Sequence, residues 1–229
     1  MNVSSINRSI VTALAVGVFL LVSGSAAAKS PAIEPDLSGV PAGRGWKLIN
    51  RTATRIDKDG TTAVRLSEGA NDYDGFAVLE NFMFADGVIE FDARGKNEPQ
   101  RSFLGIAFHG DTDRIYDAIC FRPFNFKSAD AVRRSHSIQY LSHPTYTWSK
   151  LRTEHPGQYE KPVDPAPMPD DWFRVRIVVA TPLVSVFVNN AAEPSLVVTQ
   201  LNDRKQGWLA LWVSVGSGDF ANLRITPAS

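Results

Sequence analysis

Short segments in which apolar and polar residues alternate are the feature that most constrains the fold of this chain. In Trp172–Ala180 and Gly207–Val215, every second residue is apolar, and no long segment after residue 45 repeats with a helical period. Because successive side chains of a β-strand point to opposite faces, this alternation predicts strands with one buried face. The predicted strands are Trp46–Asn50, Thr61–Ser67, Phe76–Glu80, Gly87–Arg94, Ser102–His109, Arg114–Arg122, Ser137–Ser142, Trp172–Ala180, Leu183–Asn189, Gly207–Val215 and Phe220–Thr226.

Turn residues separate these strands and favour antiparallel neighbours. Gly60 and Asn189-Asn190 are typical turn residues, and Pro182 separates two valine-rich strands. Many short strands at this spacing are typical of two antiparallel sheets packed as a sandwich. We therefore predict an all-β domain over residues 46–229, interrupted by one long loop excursion, Pro123–Asp171, which is rich in proline and aromatic residues.

The N-terminal segment differs in character from the rest of the chain. Residues 1–28 carry a single charge, Arg8, followed by an apolar run and a small-residue stretch that ends at Ala28. This order is typical of a cleavable secretory signal peptide, and the apolar run is shorter than the roughly 20 residues that span a bilayer. We therefore expect a secreted or periplasmic protein with no membrane span after cleavage, and a linker over residues 29–45.

Composition excludes several kinds of partner and cofactor. The chain has 24 Lys+Arg against 24 Asp+Glu, which disfavours a general polyanion binder, so we expect no nucleic-acid partner. Its single cysteine excludes a disulfide framework and a cysteine-rich zinc module. We predict no cofactor and no catalytic metal, while the loop acids Asp72, Asp74 and Asp219 leave a structural calcium ion open.

The outer faces of several predicted strands indicate a ligand groove. In the strands around residues 102–109, 114–122 and 207–215, the residues opposite the core are small ones flanked by aromatic, His or Arg side chains. Rings offer stacking surfaces and guanidinium groups offer forked donors, which suits a carbohydrate. The strands contribute the candidate binding residues His109, Tyr116, Arg122, Tyr140 and Trp212, and the excursion contributes Asn125, Trp148 and Arg152.

Glu90 and His136 are the candidate catalytic residues. In Gly87–Arg94, alternation places Glu90 and Asp92 on one face, about 6.5 Å apart along the strand. Two carboxyl groups at this spacing could act as acid and base in glycoside cleavage, and His136 could be a general acid or base. Exposed strands also often carry alternating charges, so the structural interpretation of Glu90 stays open.

Four segments resemble the concanavalin A-like lectin/glucanase superfamily, whose fold is a jelly roll with one concave sheet. They are 84–92 (FADGVIEFD), 172–179 (WFRVRIVV), 184–189 (VSVFVN) and 216–225 (GSGDFANLRI). The resemblance covers roughly residues 46–227, and within the superfamily it is similar to laminin-G-like bacterial domains and the 3-keto-disaccharide hydrolase group. It implies a sandwich fold and a carbohydrate-related function.

The sequence departs from the glucanase pattern of that superfamily. Those enzymes use Glu-x-Asp-x-x-Glu, whereas this chain has Glu90 and Asp92 but Gly95 at the last position. This disfavours a double-displacement glucanase. Three hypotheses therefore remain: a carbohydrate-recognising protein, a glycoside hydrolase or polysaccharide lyase that uses the same groove, and an envelope module that binds another protein.

Overall fold

Two antiparallel sheets of seven strands each form a sandwich in the computed structural model, which describes Met1 and residues 30–69 and 74–229. We call the first the groove sheet; its strand order is β1-β4-β13-β6-β7-β8-β9. The second, the ladder sheet, has the order β12-β11-β10-β5-β14-β3-β2. The strands are β1 (Trp46–Ile49), β2 (Arg51–Lys58), β3 (Thr61–Glu68), β4 (Gly75–Leu79), β5 (Gly87–Arg94), β6 (Ser102–Thr112), β7 (Ile115–Phe121), β8 (Ile138–His143), β9 (Glu160–Lys161), β10 (Phe173–Ala180), β11 (Leu183–Val188), β12 (Leu196–Thr199), β13 (Trp208–Gly216) and β14 (Gly218–Pro227).

The core lies between the sheets and is built from the alternation seen in the sequence. Ile106 of β6 and Leu211 of β13 face Ile89 and Phe91 of β5 across an interior from which water is excluded. The predicted inward faces of these strands are confirmed except at Val215, which was predicted to face the core but lines the outer groove after a register irregularity in β13. Burial of apolar area at about 25 cal/mol per Å² makes this layer the main stabilising contribution to the fold.

The predicted all-β jelly-roll sandwich is confirmed, and the described residues also include strands that the pattern did not reveal. Arg51–Lys58 is a highly charged strand at one edge of the ladder sheet, so its alternation is weak. Leu196–Thr199 is an edge strand of only four residues, and Glu160–Lys161 has two. Edge strands bury little surface, and their sequences therefore carry little hydrophobic signal.

The predicted excursion is more structured than its sequence suggests. It contains a 3-10 turn at Pro123–Asn125 and two short helices, α1 (Ala131–Ser135) and α2 (Trp148–Glu154), besides β8 and β9. Thr147 caps α2, because its hydroxyl accepts from the Lys150 N–H. Leu151 of α2 is buried against the outer face of the groove sheet. The excursion is thus a wall that is packed onto this sheet.

The N-terminal predictions have two outcomes. The predicted signal peptide lies outside the described residues, apart from Met1. Part of the predicted linker belongs to the folded domain, since a 3-10 helix spans Leu37–Ala42 and buries Leu37 and Val40 in the core. Across residues 30–69 and 74–229, no helix is long and apolar enough to cross a membrane.

Candidate functional site

A groove with a volume of about 650 Å³ lies on the outer face of the groove sheet. Sheet register brings one row of residues side by side along its floor: Trp212 of β13 pairs with Gly105 of β6, which pairs with Cys120 of β7. The row continues through Gln139 of β8 to Glu160 of β9. Gly105 leaves the floor low, and a Cβ there would collide with the carbonyl oxygen of Ile119.

Arg122 is the deepest charged group of the groove. Its side chain is almost fully buried, and its Nη1 donates to the carbonyl oxygen of His136 over 3.1 Å. Its Nη2 donates to the side-chain oxygen of Gln139, and the ring of Phe103 lies 5.6 Å from the guanidinium carbon. Burial lowers the pKa of Arg122, yet an arginine stays charged at neutral pH. The groove therefore holds a fixed positive charge at its base.

A buried carboxylate organises the wall beside Arg122. Glu160 accepts two hydrogen bonds from Arg152, at 3.0 Å from Nε and 2.8 Å from Nη2. Nδ1 of His136 lies 2.9 Å from the same carboxylate. Burial lowers the pKa of His136 and outweighs the opposite effect of Glu160. Glu160 thus fixes two side chains from the excursion in place along the groove.

A second polar group stands at the other side of the floor. The hydroxyl of Tyr116 donates to the carboxylate of Asp74, and His143 stacks on the Tyr116 ring with centroids 4.9 Å apart. Burial raises the pKa of Tyr116 and lowers that of His143, so both are neutral at pH 7. The indole N–H of Trp212 is buried near this hydroxyl and has no aligned hydrogen-bond acceptor among the described residues.

Aromatic surfaces and an inert thiol complete the lining. Trp148 at the start of α2 is 52% exposed, and its ring lies 5.2 Å from the guanidinium carbon of Arg152. Phe103 and Phe124 contact each other edge to face on the opposite wall. Burial raises the pKa of the Cys120 thiol to about 11, so this group is protonated and acts as a small apolar residue.

The structure brings together most of the residues predicted to bind a ligand. The predicted residues that line the groove are Arg122, Asn125, His136, Trp148, Arg152 and Trp212. Tyr116 lies on the same outer face, but it is buried beside the groove and reaches it through Asp74.

His109 and Tyr140 are not in the groove. A β-bulge after Phe108 reverses the alternation, and His109 has a positive φ of 49° that turns its ring into the interior against Phe84. Its Nε2 lies 2.9 Å from the carbonyl oxygen of Ala85, and burial lowers its pKa. Tyr140 pairs with Ile119 in the sheet and therefore points into the core.

Glu90 is also remote from the groove, since it lies on the outer face of the ladder sheet. Arg174 contacts both its carboxylate at 3.5 Å and that of Asp92 at 3.4 Å. Lys58 pairs with Asp92 at 3.2 Å. The two candidate catalytic residues, Glu90 and His136, therefore lie on different sheets, because alternation fixes the face of a strand but not which of two sheets the strand joins.

Sequence reasoning missed two residues that line the groove, Asp74 and His143. It also missed Gln139 and Glu160, which are buried and hold lining arginines in place. In β8, both faces carry apolar residues, so the sequence alone does not show which face is inward. The pairing of Cys120 with Gln139 in the sheet shows that Gln139 lies on the outer face and Tyr140 on the inner face. A two-residue strand such as Glu160–Lys161 gives no periodic signal at all.

The suggested calcium ligands do not form one site. Asp72 lies outside the described residues, Asp74 is bonded to Tyr116, and Asp219 lies on the other sheet. Both oxygens of Asp219 accept from Arg65 and Arg94. Within the described parts of the chain, no group of three His, Cys, Asp or Glu side chains is arranged to hold a metal ion.

Comparison with known proteins identifies the fold. No family model and no curated protein matches the sequence. The carbohydrate binding module CBM66 of Bacillus subtilis superposes with a TM-score of 0.54 at 13% identity, over 80% of this chain and 96% of the module. A Bacillus subtilis protein with a galectin-like fold gives 0.55 at 13% identity, over 84% and 92%. The β-glucanase of Bacillus licheniformis gives 0.50 at 11% identity, over 86% and 92%. The chain therefore has the concanavalin A-like jelly-roll fold.

Proposed function

We propose that this protein binds a carbohydrate in the groove of the groove sheet. The observation that carries the proposal is the combination of an exposed stacking ring, Trp148, with the buried hydrogen-bonding groups of Arg122 and Trp212 around one low floor. A volume of about 650 Å³ lies within the range of small-ligand sites. The C–H faces of a sugar suit the rings, and its hydroxyls suit the polar groups. Structures with the same fold include a carbohydrate binding module and a β-glucanase.

The test compares two tryptophan variants over a panel of soluble glycans. Trp148→Ala removes the exposed ring of the groove, whereas the bond from Gln139 to the Trp148 carbonyl oxygen is retained because it uses the backbone. We expect about a tenfold loss of affinity, since 1.4 kcal/mol is the order of one aromatic contact. The melting temperature should hardly change.

Trp172→Ala is the matched control for this test. Trp172 lies over Arg94 on the ladder sheet, 4.7 Å from its guanidinium carbon, and outside the groove. The Trp172→Ala variant should bind glycans with the same affinity as the wild type. Equal losses in both variants would contradict the groove assignment. A wild-type protein that retains no glycan but co-purifies with another protein would favour the interaction-module hypothesis instead.

Glycoside cleavage is the second candidate function, and His143 is the observation that favours it. This residue lines the groove and is held neutral by burial, which is the form of an imidazole that can accept a proton. Mass spectrometry of glycans incubated with the protein would detect cleavage. New products from the wild type but not from His143→Gln would support an enzyme, and an absence of products at saturating protein would leave the binding function.

We also propose that the protein is exported. The charged start, apolar run and small residues of segment 1–28 support this proposal. Expression of the full chain in a bacterial host should give a mature protein that begins at Lys29 and is released from the periplasm. An intact mass that retains Met1 to Ala28 would contradict it.

A further inference from the structure

Arg122 has no anionic partner among the described residues, unlike Arg152 and Arg204, which also contact residues of the groove sheet. Arg152 pairs with Glu160 at 2.8 Å, and Arg204 pairs with Asp117 at 2.7 Å. Arg122 is only 5% exposed, yet its acceptors are the neutral oxygens of His136 and Gln139. No carboxylate among the described residues forms an ion pair with it.

A buried charge without a counter-ion is costly, so its presence at the base of a groove requires an explanation. Removing a charge from water costs several kcal/mol, which neutral acceptors offset only in part. The guanidinium has five N–H donors, and the described residues accept two hydrogen bonds from it. The remaining donors are available to a ligand, and an anion would supply the missing charge.

The surrounding residues hold the guanidinium in a fixed orientation. Gln139 is itself anchored, because its Nε2 donates to the carbonyl oxygen of Trp148 over 3.2 Å. Asn125 donates to the same carbonyl oxygen of His136 that Arg122 uses. The Phe103 ring covers the guanidinium from one side. A planar fork that is fixed in this way matches the geometry of a carboxylate or a sulfate group.

The nearby charges reinforce this preference for an anion. Arg152 and Arg133 also line the groove, and Arg152 lies near enough to Arg122 to lower its pKa. Glu160 balances one of these cations, and the Asp74 carboxylate, which accepts from the Tyr116 hydroxyl, lies at the other side of the floor. The end of the groove at Arg122 therefore keeps a positive excess.

From these contacts we infer that the carbohydrate bound in the groove carries an acidic group, either the carboxylate of a uronic acid or a sulfate ester, and that Arg122 binds this group. The inference rests on the proposed carbohydrate function. It adds the class of glycan and assigns its recognition to one residue.

The experiment uses matched pairs of glycans that differ only in charge. The mature protein is titrated by calorimetry with uronic acid oligosaccharides and with the same oligosaccharides after carboxyl reduction, and separately with sulfated and desulfated oligosaccharides. We expect at least tenfold tighter binding of the acidic member of one pair, and the pair that shows it identifies the group. Weaker binding at higher salt should accompany this preference.

Two variants and a control assign the preference to Arg122. Arg122→Gln should remove most of the preference between the two members of the pair, and Arg122→Lys should retain part of it, because it keeps the charge but not the fork. Arg224→Ala, on the ladder sheet, is the control and should behave as the wild type. The wild-type comparison holds even if a variant at position 122 does not fold.

The outcomes separate this inference from the proposed function. Equal or tighter binding of the neutral members would overturn the inference and leave carbohydrate binding intact. Loss of affinity for both members in Arg122→Gln, with the ratio unchanged, would also overturn it. A wild-type protein that binds no glycan of any kind would overturn the proposed function and, with it, the inference.

Discussion

The outer faces of the two sheets are built from the same alternating pattern but use their charges differently. On the ladder sheet, Asp219 accepts from Arg65 at 2.7 Å and from Arg94 at 2.8 Å, and Arg174 bridges Glu90 and Asp92. Each of these charged groups therefore has a partner of opposite sign on a neighbouring strand, although Asp219 is shared by two arginines. On the groove sheet, the floor is apolar, and no carboxylate among residues 30–69 and 74–229 forms an ion pair with its deepest cation.

This difference is the reason for placing the proposed ligand on the groove sheet. A solvent-exposed face whose charged side chains form ion pairs with one another needs no ligand to balance them. Such exposed pairs add only modestly to the free energy of unfolding. A face that buries donors without partners is incomplete by itself. The presence of carboxylates on a strand, as at Glu90 and Asp92, is therefore a weaker sign of function than a buried charge that forms no ion pair within the described residues, such as Arg122.

The largest expected effect is at the buried carboxylate of the groove wall. Glu160→Gln removes the charge that holds Arg152 and lies against His136, and it leaves a cation without its partner. We expect the free energy of unfolding to fall by about 3 kcal/mol, as for other broken buried pairs. Urea denaturation measures this loss.

Glu154→Gln is the control for that change, because Glu154 pairs with Lys150 on the exposed face of α2. Such helix pairs contribute only about 0.3–0.5 kcal/mol. If the two substitutions lowered stability equally, the buried cluster would not be the anchor of the groove wall.

A smaller effect is expected at the centre of the ladder face. Asp219→Asn weakens the hydrogen bonds from Arg65 and Arg94, whose side chains are partly exposed, and should lower the free energy of unfolding by about 1–2 kcal/mol. Glycan affinity should be unchanged because Asp219 lies on the other sheet. A loss of affinity in calorimetry would contradict the separation of the two faces.

The buried histidines make stability depend on pH. Burial lowers the pKa of His109 and His143, although Asp117, Asp86 and Asp74 oppose this effect. Below the unfolded pKa of about 6.5, the unfolded chain binds more protons than the folded chain, so stability is full above that pH and falls as the pH drops. The slope should reach about 1.4 kcal/mol per pH unit for each histidine.

Urea denaturation from pH 7.5 to pH 5 measures this dependence. His143→Gln should reduce the slope, since it removes one of the groups that must bind a proton, and the rest should come from His109 and His136, whose pKa is also lowered by burial. A free energy of unfolding that rises as the pH falls would show that these histidines are not held neutral.

The smallest effect is expected at Glu90. Its contact with Arg174 spans 3.5 Å between partly exposed side chains, so Glu90→Gln should change stability by less than about 1 kcal/mol. Neither glycan affinity nor any release of products should change. If the wild type cleaved a glycan and Glu90→Gln did not, the hypothesis of a catalytic site on the ladder sheet would be supported.

The sequence predicted the positions of site residues correctly where the strands are regular, and incorrectly where they are not. In β7, and in β13 as far as Val213, the alternation is uninterrupted, and the outward positions of Cys120, Arg122 and Trp212 could be assigned correctly. The position of His109 could not be assigned, because a bulge shifts the alternation by one residue and turns the His109 side chain into the interior. Tyr140 could not because β8 has apolar residues on both of its faces.

The sequence by itself determined the all-β class, the inward faces of the regular strands and the residue types that a carbohydrate site needs. These properties follow from local periodicity and side-chain chemistry. Only the tertiary structure decided which sheet each strand joins, which row of residues spans the groove, and which charges are paired. Sheet register places Glu160, Gln139, Cys120 and Trp212 in one row across neighbouring strands. Register is a long-range property, because it depends on how distant segments of the chain pair. For the same reason, the lack of an ion pair at Arg122 within the described residues is visible only in the folded chain.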